Sequence, residues 1–103
     1  GKKMLRPKEV VCKWVDAFNN HDVEAIVSLY HDNATNHQVT NAPVIGIDAI
    51  KEMFTTEFAT ADMVAIVENI VEDGQWAILE WKDPLGLRGC GFFQVVNGNT
   101  ILK

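Results

Sequence analysis

The chain has 103 residues, of which 48% are hydrophobic and 22% are charged, and its formal net charge at pH 7 is −5. This composition is typical of one folded domain and excludes a disordered chain. The negative balance argues against electrostatic binding to nucleic acid or to an anionic membrane surface, and no apolar run approaches the ~20 residues of a membrane-spanning helix.

The first sixty residues carry helical patterns. Residues 7–20 are predicted to form a helix, because a proline stands in the first turn and apolar residues recur at helical spacing. A second helix is predicted from its cap at Asp22 to about Tyr30, and a third over residues 47–60. Between the second and third helices, residues 34–39 are predicted to form a short strand.

The remaining residues are predicted to form four antiparallel strands joined by three turns. Asp73-Gly74 and Asn97-Gly98 are typical two-residue hairpin loops, and residues 83–86 have the composition of a type I turn. If these are the complete loops, they fix the register and therefore which side chains share a face. Neither predicted face alternates with polar residues, so both faces are expected to be covered.

The predicted register divides the sheet into two faces. One face holds Ile66, Glu68, Ile70, Ala77, Leu79, Trp81, Arg88, Cys90, Phe92, Gln94 and Ile101. The opposite face includes Trp76, Ile78, Gly89, Gly91, Phe93 and Val95. Three helices ahead of one sheet predict an α+β fold with the helices packed on one face. We expect a single domain over residues 1–103, truncated in its last strand, which is much shorter than its partner.

Three stretches resemble the nuclear transport factor 2-like superfamily, and its SnoaL-like branch in particular: residues 14–22, residues 26–35, and residues 46–50 with Phe54. The resemblance covers nearly the whole chain. It implies a cystatin-like α+β cone, in which three N-terminal helices pack on a curved antiparallel sheet around a deep apolar pocket. Members include ketosteroid isomerase, scytalone dehydratase, limonene epoxide hydrolase, polyketide cyclases and non-enzymatic binding modules, so the fold alone does not define a function.

The sequence departs from the best-known members at their catalytic positions. Aligned with ketosteroid isomerase, the hydrogen-bonding tyrosine of that enzyme falls on Trp14, its aspartate base on Gln38 and its second acid near Phe92. Steroid-isomerase chemistry is therefore not expected. The Asp-Arg-Asp pattern of the epoxide hydrolases is also missing, because Arg88 has no matching aspartate beside it.

The sheet face that contains Trp81 has the parity that the resemblance assigns to the pocket. Side chains expected to contact a ligand are Trp14, Gln38, Phe54, Leu79, Trp81, Arg88, Cys90, Phe92 and Gln94. The expected ligand is a small apolar organic molecule. No cofactor is expected, because the sequence contains neither a metal-ligand spacing nor a glycine-rich phosphate loop.

Three residues are candidate proton-transfer groups for isomerisation, dehydration, cyclisation or hydrolysis. Glu68 lies beside Arg88 on the predicted pocket face, where apolar surroundings raise the pKa of a carboxyl group; a salt bridge between the two is the alternative. His37 is a candidate because histidine as a residue type suits proton transfer, but it points away from the pocket if Gln38 faces it, unless a bulge intervenes. The hydroxyl of Tyr30 can donate to a substrate carbonyl. The competing function is a non-catalytic binding or assembly module.

The second sheet face has no helix left to cover it, and an exposed apolar face of this kind usually marks an interface. A homodimer through Trp76, Ile78, Phe93 and Val95 is the simplest arrangement. Cys12 and Cys90 have no disulfide-like or metal-like spacing. Each is expected to be a buried free thiol rather than part of a disulfide or a metal site, which is typical of a cytoplasmic protein.

Overall fold

The computed structural model describes residues 6–37, 42–60, 64–96 and 100–103. Over these residues the elements are α1 (Pro7–Asn19), α2 (Val23–Val27), β1 (Thr35–Asn36), β2 (Val44–Ile45), α3 (Ile47–Thr60), β3 (Ile66–Asp73), β4 (Trp76–Lys82), β5 (Arg88–Val96) and β6 (Thr100–Ile101). Strands β3 to β6 form one antiparallel sheet in chain order, and β1 pairs with β2. The predicted α+β class is confirmed. No helix among the described residues is long and apolar enough to cross a membrane.

Helix α2 begins as predicted but ends earlier. The Asp22 carboxylate accepts the backbone N–H of Ala25 at 3.1 Å, which caps the helix. The backbone N–H groups of Leu29 and Tyr30 donate to carbonyl groups three residues earlier, at 3.2 and 3.0 Å. The chain therefore tightens into turns after Val27, and these turns lead Tyr30 towards the sheet.

The helices cover one face of the sheet, called here the inner face. Its buried side chains are Ala77, Leu79, Phe93, Val95 and Ile101. They join a single apolar cluster with buried residues of α1 and α3, including Val10, Val15, Ile50 and Phe54. The opposite face, called here the outer face, carries Val71, Trp76, Ile78 and Phe92, which are exposed or half-buried. Removal of the inner-face side chains from water is the main source of stability.

The loop between β4 and β5 is one residue longer than predicted, and this changes the register. Lys82 pairs with Arg88, so the loop spans residues 83–87. The Asp83 side chain accepts the backbone N–H groups of Leu85 and Leu87, both at 2.9 Å, and the Asp83 N–H donates to the Leu87 carbonyl at 2.8 Å. Leu87 is thus held in the loop rather than in the strand.

A shift of one residue moves every side chain of β5 to the other face. The predicted pairing of Trp81 with Arg88 is wrong, because Trp81 pairs with Gly89, and likewise Ala77 pairs with Phe93. Phe93 and Val95, predicted to lie on the open face, are buried on the inner face. Residues predicted to face the pocket instead point to the outer face: Arg88, Cys90, Phe92 and Gln94.

The first hairpin also differs from the prediction, but with a smaller consequence. Asp73 pairs with Trp76, so the two loop residues are Gly74 and Gln75 rather than Asp73 and Gly74. This shift keeps the faces of the two strands near the turn. Farther along β3, a bulge between Val67 and Asn69 inserts Glu68 as an extra residue. The bulge reverses the parity beyond it, so Glu68 and Ile66 do not share the face of Trp81.

Two other expectations concern the last strand pair and the two cysteines. Val95 pairs with Ile101, whereas Gln94 was predicted to be the partner of Ile101; the predicted Asn97-Gly98 turn lies outside the described residues. Cys12 and Cys90 are both free thiols, but they are exposed rather than buried. Cys12 lies on the solvent side of α1, and Cys90 lies on the outer face because of the corrected register.

Candidate ligand-binding site

A cavity of 720 Å³ lies between the inner face and the helices. Its size falls within the range of sites for small organic molecules. The residues that line it are Trp14, Phe18, Tyr30, Asn36, His37, Phe54, Glu57, Val64, Ala65, Trp81, Asp83, Pro84, Leu85, Cys90, Gly91, Phe92, Phe93 and Lys103. The wall combines aromatic rings with the polar side chains of Asn36, His37, Glu57, Asp83 and Lys103.

Trp14 is the centre of the aromatic wall. Its ring stacks on Phe18 with centroids 5.0 Å apart, and it meets Phe93 edge-on at 5.2 Å and Phe54 at 6.4 Å. Phe54 in turn lies 6.0 Å from the ring of Tyr30. These side chains come from both long helices, the end of α2 and β5, so the wall is fixed by the core of the domain.

Two glycines of β5 make room for rings on the inner face. A Cβ atom on Gly89 would lie 2.4 Å from Cζ2 of Trp81, its cross-strand partner, which is far inside van der Waals contact. A Cβ atom on Gly91 would lie 3.2 Å from Cε2 of Phe93. The indole of Trp81 therefore rests directly on the backbone of β5. Gly91, which also has no side chain, lines the cavity itself.

Tyr30 is the buried polar group of the wall, and its backbone is anchored to the sheet. The N–H of His31 donates to the Ile101 carbonyl at 2.8 Å, and the Ile101 N–H donates to the Leu29 carbonyl at 2.7 Å. The Tyr30 hydroxyl oxygen accepts the indole N–H of Trp14 at 3.1 Å and lies 3.4 Å from Nδ2 of Asn36. With donors on the oxygen, the hydroxyl proton is left to donate elsewhere.

The electrostatics of the site favour the neutral phenol. Burial raises the pKa of Tyr30 to about 12, partly opposed by the hydrogen bonds from Trp14 and Asn36, and the negative charge of Glu57 raises it further. Tyr30 is therefore protonated throughout the physiological range. It can act as a hydrogen-bond donor, and it keeps its proton unless the bound molecule is a strong base.

Glu57 on α3 is the wall carboxylate that sequence reasoning missed. It lies on the cavity lining, and its charge acts on the Tyr30 hydroxyl. The signal was present in the sequence, because Glu57 is seven residues after Ile50 and three after Phe54. A carboxylate at that spacing falls within the apolar stripe of the helix rather than on its solvent side.

The rim of the cavity has an apolar side and a polar side. Pro84 and Leu85 of the β4–β5 loop line one part, and His37 and Lys103 line another. At the start of β3, the Asn19 side chain donates to the Ala65 carbonyl at 2.9 Å and accepts the Ala65 N–H at 2.7 Å. This pair of bonds ties the end of α1 to the sheet, which fixes the rim there.

Seven candidate site residues singled out from the sequence lie on the lining of this cavity, and two of them, Cys90 and Phe92, occupy outer-face strand positions. Trp14, Tyr30, His37, Phe54 and Trp81 all line it, His37 from an exposed position at the rim.

The other predicted ligand contacts are placed differently. Leu79 is buried in the core and does not line the cavity. Cys90 and Phe92 border it at strand positions whose side chains are on the outer face. Gln38 lies outside the described residues.

The predicted pocket charges Glu68 and Arg88 lie elsewhere. They form an ion pair with 2.8 Å between Arg88 Nε and Glu68 Oε1 on the outer side of the sheet, away from the cavity lining. The salt bridge that was the alternative to catalysis is therefore present. Gln94 likewise points outwards, where its Nε2 lies 3.3 Å from Oε1 of Gln75. The β3 bulge and the longer β4–β5 loop are the reasons for both corrections.

Comparison with known proteins identifies the family. The family model described as the SnoaL-like domain matches residues 11–101, so the chain belongs to the SnoaL-like family. The resemblance inferred from the sequence is confirmed. Among the described residues, no group of three or more histidine, cysteine, aspartate or glutamate side chains is placed to hold a metal ion. Comparison with curated protein sequences gives no significant match.

Solved structures share the fold at low sequence identity. A candidate polyketide cyclase from Sinorhizobium meliloti superposes with a TM-score of 0.80 at 20% identity, over 91% of this chain and 89% of that one. An epoxide hydrolase from M. tuberculosis, similar to limonene epoxide hydrolase, gives 0.78 at 20% identity, over 91% and 75%. A nuclear transport factor 2-like protein of unknown function from Cytophaga hutchinsonii gives 0.82 at 14% identity, over 99% and 88%. These likenesses define the architecture.

Proposed function

We propose that this protein binds a small, mainly apolar organic molecule that carries an acceptor oxygen, and that the Tyr30 hydroxyl donates a hydrogen bond to that oxygen. The observation that carries the proposal is the setting of Tyr30. Its oxygen accepts from the Trp14 indole at 3.1 Å, its pKa is raised to about 12, and it lines an aromatic cavity of 720 Å³. A neutral donor in apolar surroundings favours a ligand that is mainly apolar and offers a ketone or ether oxygen as the acceptor.

Tyr30 and Glu57 together support cofactor-free acid/base chemistry on a ketone. A carbonyl compound held by Tyr30 lies near the Glu57 carboxylate, which can accept a proton from the carbon next to the carbonyl. The hydrogen bond from Tyr30 then stabilises the enolate oxygen. If the ketone carries a β,γ double bond, the enolate is conjugated with it, and return of the same proton to the γ carbon gives the α,β-unsaturated isomer without a change in atoms or electrons. His37 at the rim is a second candidate for proton transfer.

The alternative is a non-catalytic binding module. It is favoured by the catalytic positions of ketosteroid isomerase, which fall on Trp14, Gln38 and Phe92 in this sequence. Structural packing alone also accounts for the hydrogen bond between Trp14 and Tyr30, since buried polar groups normally find partners.

A matched pair of ligands tests the binding proposal. 2-Acetylnaphthalene and 2-isopropenylnaphthalene have nearly the same shape, but only the ketone has an acceptor oxygen. We expect the wild-type protein to bind the ketone more tightly by about 2- to 10-fold, the usual net worth of one hydrogen bond. Tyr30→Phe should remove that preference, whereas Trp76→Phe on the outer face should keep it. A wild-type protein without the preference would contradict the proposal.

Exchange of hydrogen for deuterium separates the two functions. The acetyl methyl protons of bound 2-acetylnaphthalene exchange with D₂O only through an enolate, so NMR detects the proton-transfer step directly. Catalysed exchange that is lost in Glu57→Gln, with binding retained, would support an enzyme. Binding of the ketone with no exchange above the buffer rate would support the binding module instead.

We also infer a homodimer through the outer face. The apolar residues that support it are Val71, Trp76, Ile78 and Phe92, since Phe93 and Val95 are buried on the other face. A cytoplasmic location stays a prediction, and it is supported by two exposed thiols that are not joined in a disulfide.

A further inference from the structure

The loop between β4 and β5 places an apolar side chain at the rim of the cavity. Leu85 lines the cavity and is nevertheless 90% exposed, so most of its surface faces solvent when the site is empty. Pro84 and Asp83 beside it also line the cavity, and the Asp83 carboxylate is hydrogen-bonded to backbone N–H groups of the loop. On the other part of the rim, His37 and Lys103 are polar. An apolar ligand that extends beyond the cavity would therefore bury more apolar surface by lying against Leu85 than by lying against the polar side of the rim.

The exposure of Leu85 is a fixed feature of the loop. The Asp83 carboxylate accepts the backbone N–H groups of Leu85 and Leu87 at 2.9 Å each. The Asp83 carbonyl accepts the Gly86 N–H at 3.0 Å, and Gly86 has a φ of +92°, which glycine adopts without strain. Two side-chain and two backbone hydrogen bonds centred on Asp83 thus hold the leucine outwards, and a ligand meets a preformed surface.

We propose that Leu85 is a specificity-determining residue that extends the binding site beyond the cavity. The ligand class that fits is a ketone with an apolar chain long enough to run from Tyr30 to the rim. The proposal rests on the proposed function, because Tyr30 anchors the oxygen at the inner end. The apolar chain of the ligand then covers Leu85. Removal of that side chain from water increases the affinity for long ligands but not for short ones.

A homologous series of ligands tests this proposal. The probes are the 2-alkanones from 2-hexanone to 2-tetradecanone, with binding measured by calorimetry. For the wild-type protein, we expect affinity to rise about fourfold for each added methylene that is buried, up to the length at which the chain has passed the rim. Leu85→Ser should leave the affinity of short ketones unchanged and reduce only that of the members that reach the loop.

Leu87→Ser is the matched control. Leu87 lies in the same loop and is 69% exposed, but it does not line the cavity. Both leucines donate their backbone N–H to Asp83, so both substitutions keep the bracing of the loop. We expect Leu87→Ser to give the wild-type dependence on chain length. An equal loss in the two variants, or a loss in Leu85→Ser that is the same for every ligand, would overturn the proposal.

A parallel series of 2-methyl-1-alkenes separates this proposal from the proposed function. These alkenes replace the carbonyl oxygen by a methylene group of similar size and cannot accept the Tyr30 hydrogen bond. If ketones and alkenes bind equally but Leu85→Ser still weakens only the long members, the Tyr30 proposal fails and the Leu85 proposal stands. If ketones bind better but Leu85→Ser has no effect at any length, the Leu85 proposal fails alone.

Discussion

The two faces of the sheet have different roles although they share the same strands, and β5 shows the contrast most clearly. Its inner positions are Gly89, Gly91 and Phe93, whereas the outer positions between them are Cys90 and Phe92. The inner side gives up two side chains, and the rings of Trp81 and Phe93 occupy the space next to those glycines. The outer positions all carry side chains, and no helix among the described residues covers them.

The difference shows how a small domain makes a cavity without losing its core. Burial on the inner face is concentrated near the turn end of β4 and the far end of β5, where Ala77, Phe93 and Val95 meet the helices. The glycines lie towards the other end of β5, where Gly89 pairs with Trp81 and Gly91 pairs with Leu79. The core and the cavity meet at Phe93, which is buried and also lines the cavity, so the closely packed part forms one wall of the binding space.

The largest expected effect on this comparison comes from substitution of two neighbouring phenylalanines. Phe93 is 7% exposed and Phe92 is 62% exposed. Phe93→Ala should lower the free energy of unfolding by about 3–5 kcal/mol, because it removes a buried ring and leaves a hole. Phe92→Ala should change it by less than about 0.5 kcal/mol. Urea unfolding at several protein concentrations measures both values and separates any contribution from self-association.

A larger loss of stability in Phe92→Ala than in Phe93→Ala would contradict the observed register of β5. The register predicted from the sequence buries Phe92 and exposes Phe93, so the same experiment compares the two registers directly. Equal effects for the two substitutions would contradict both.

The order of the elements could be predicted from the sequence, but the register could not. Helical spacing, the Asp22 cap and the turn residues gave α1, α3 and four strands close to their observed positions. The register depends on whether Leu87 belongs to the loop or to β5, and turn composition does not decide this. The Asp83 carboxylate decides it by binding two backbone N–H groups of the loop. The bulge at Glu68 has no signal in a single sequence.

The predicted ligand contacts on the helices line the cavity, whereas the predicted contacts on β5 were assigned to the wrong face of the sheet. Trp14, Tyr30 and Phe54 were recognised, since their place follows from helical spacing or from a helix end. Arg88 and Gln94 were assigned to the pocket through the predicted register and lie on the outer face. Glu57 was not predicted although its spacing places it on the apolar stripe of α3, because a charged residue on a helix is usually on the solvent side.

A second test asks whether the outer face is an interface. Trp76 is 40% exposed on the outer face, at the turn end of β4 and two residues before Ile78, which pairs with Phe92. If two copies pair through this face, Trp76→Glu should raise the dissociation constant by about 30-fold or more, as expected for a buried aromatic residue at an interface. Sedimentation velocity over a range of concentrations should then show monomer where the wild-type protein is dimeric.

Leu87→Glu is the control for that change, because it places the same charge on an exposed apolar residue outside the sheet face. A dimer that persists in Trp76→Glu, or one that Leu87→Glu disrupts as strongly, would rule out this face. Circular dichroism checks that both variants are folded. The inner face gives a further contrast, since substitutions such as Tyr30→Phe should leave the association unchanged.

The smallest expected effect is in the titration of Tyr30, which is the one tyrosine of the sequence. Phenolate absorbance therefore reports on this group alone. Because burial raises its pKa to about 12, the folded protein should show almost no phenolate at pH 10, whereas the protein unfolded in urea should titrate near the ordinary value of about 10. The raised pKa contributes stability that is complete below pH 10 and is lost as the pH rises towards 12.

Glu57→Gln sharpens this measurement, because the carboxylate charge is one of the causes that raise the Tyr30 pKa. Without that charge, the pKa of Tyr30 in the folded protein should fall, and the loss of stability in alkali should begin at a lower pH. Glu68→Gln is the control, since Glu68 pairs with Arg88 on the outer side. A Tyr30 pKa that is the same in wild type and Glu57→Gln would mean that the carboxylate does not act on the hydroxyl. Proton transfer between a ligand and Glu57 would then have no support from the geometry, and binding through Tyr30 would remain as the function of the inner face.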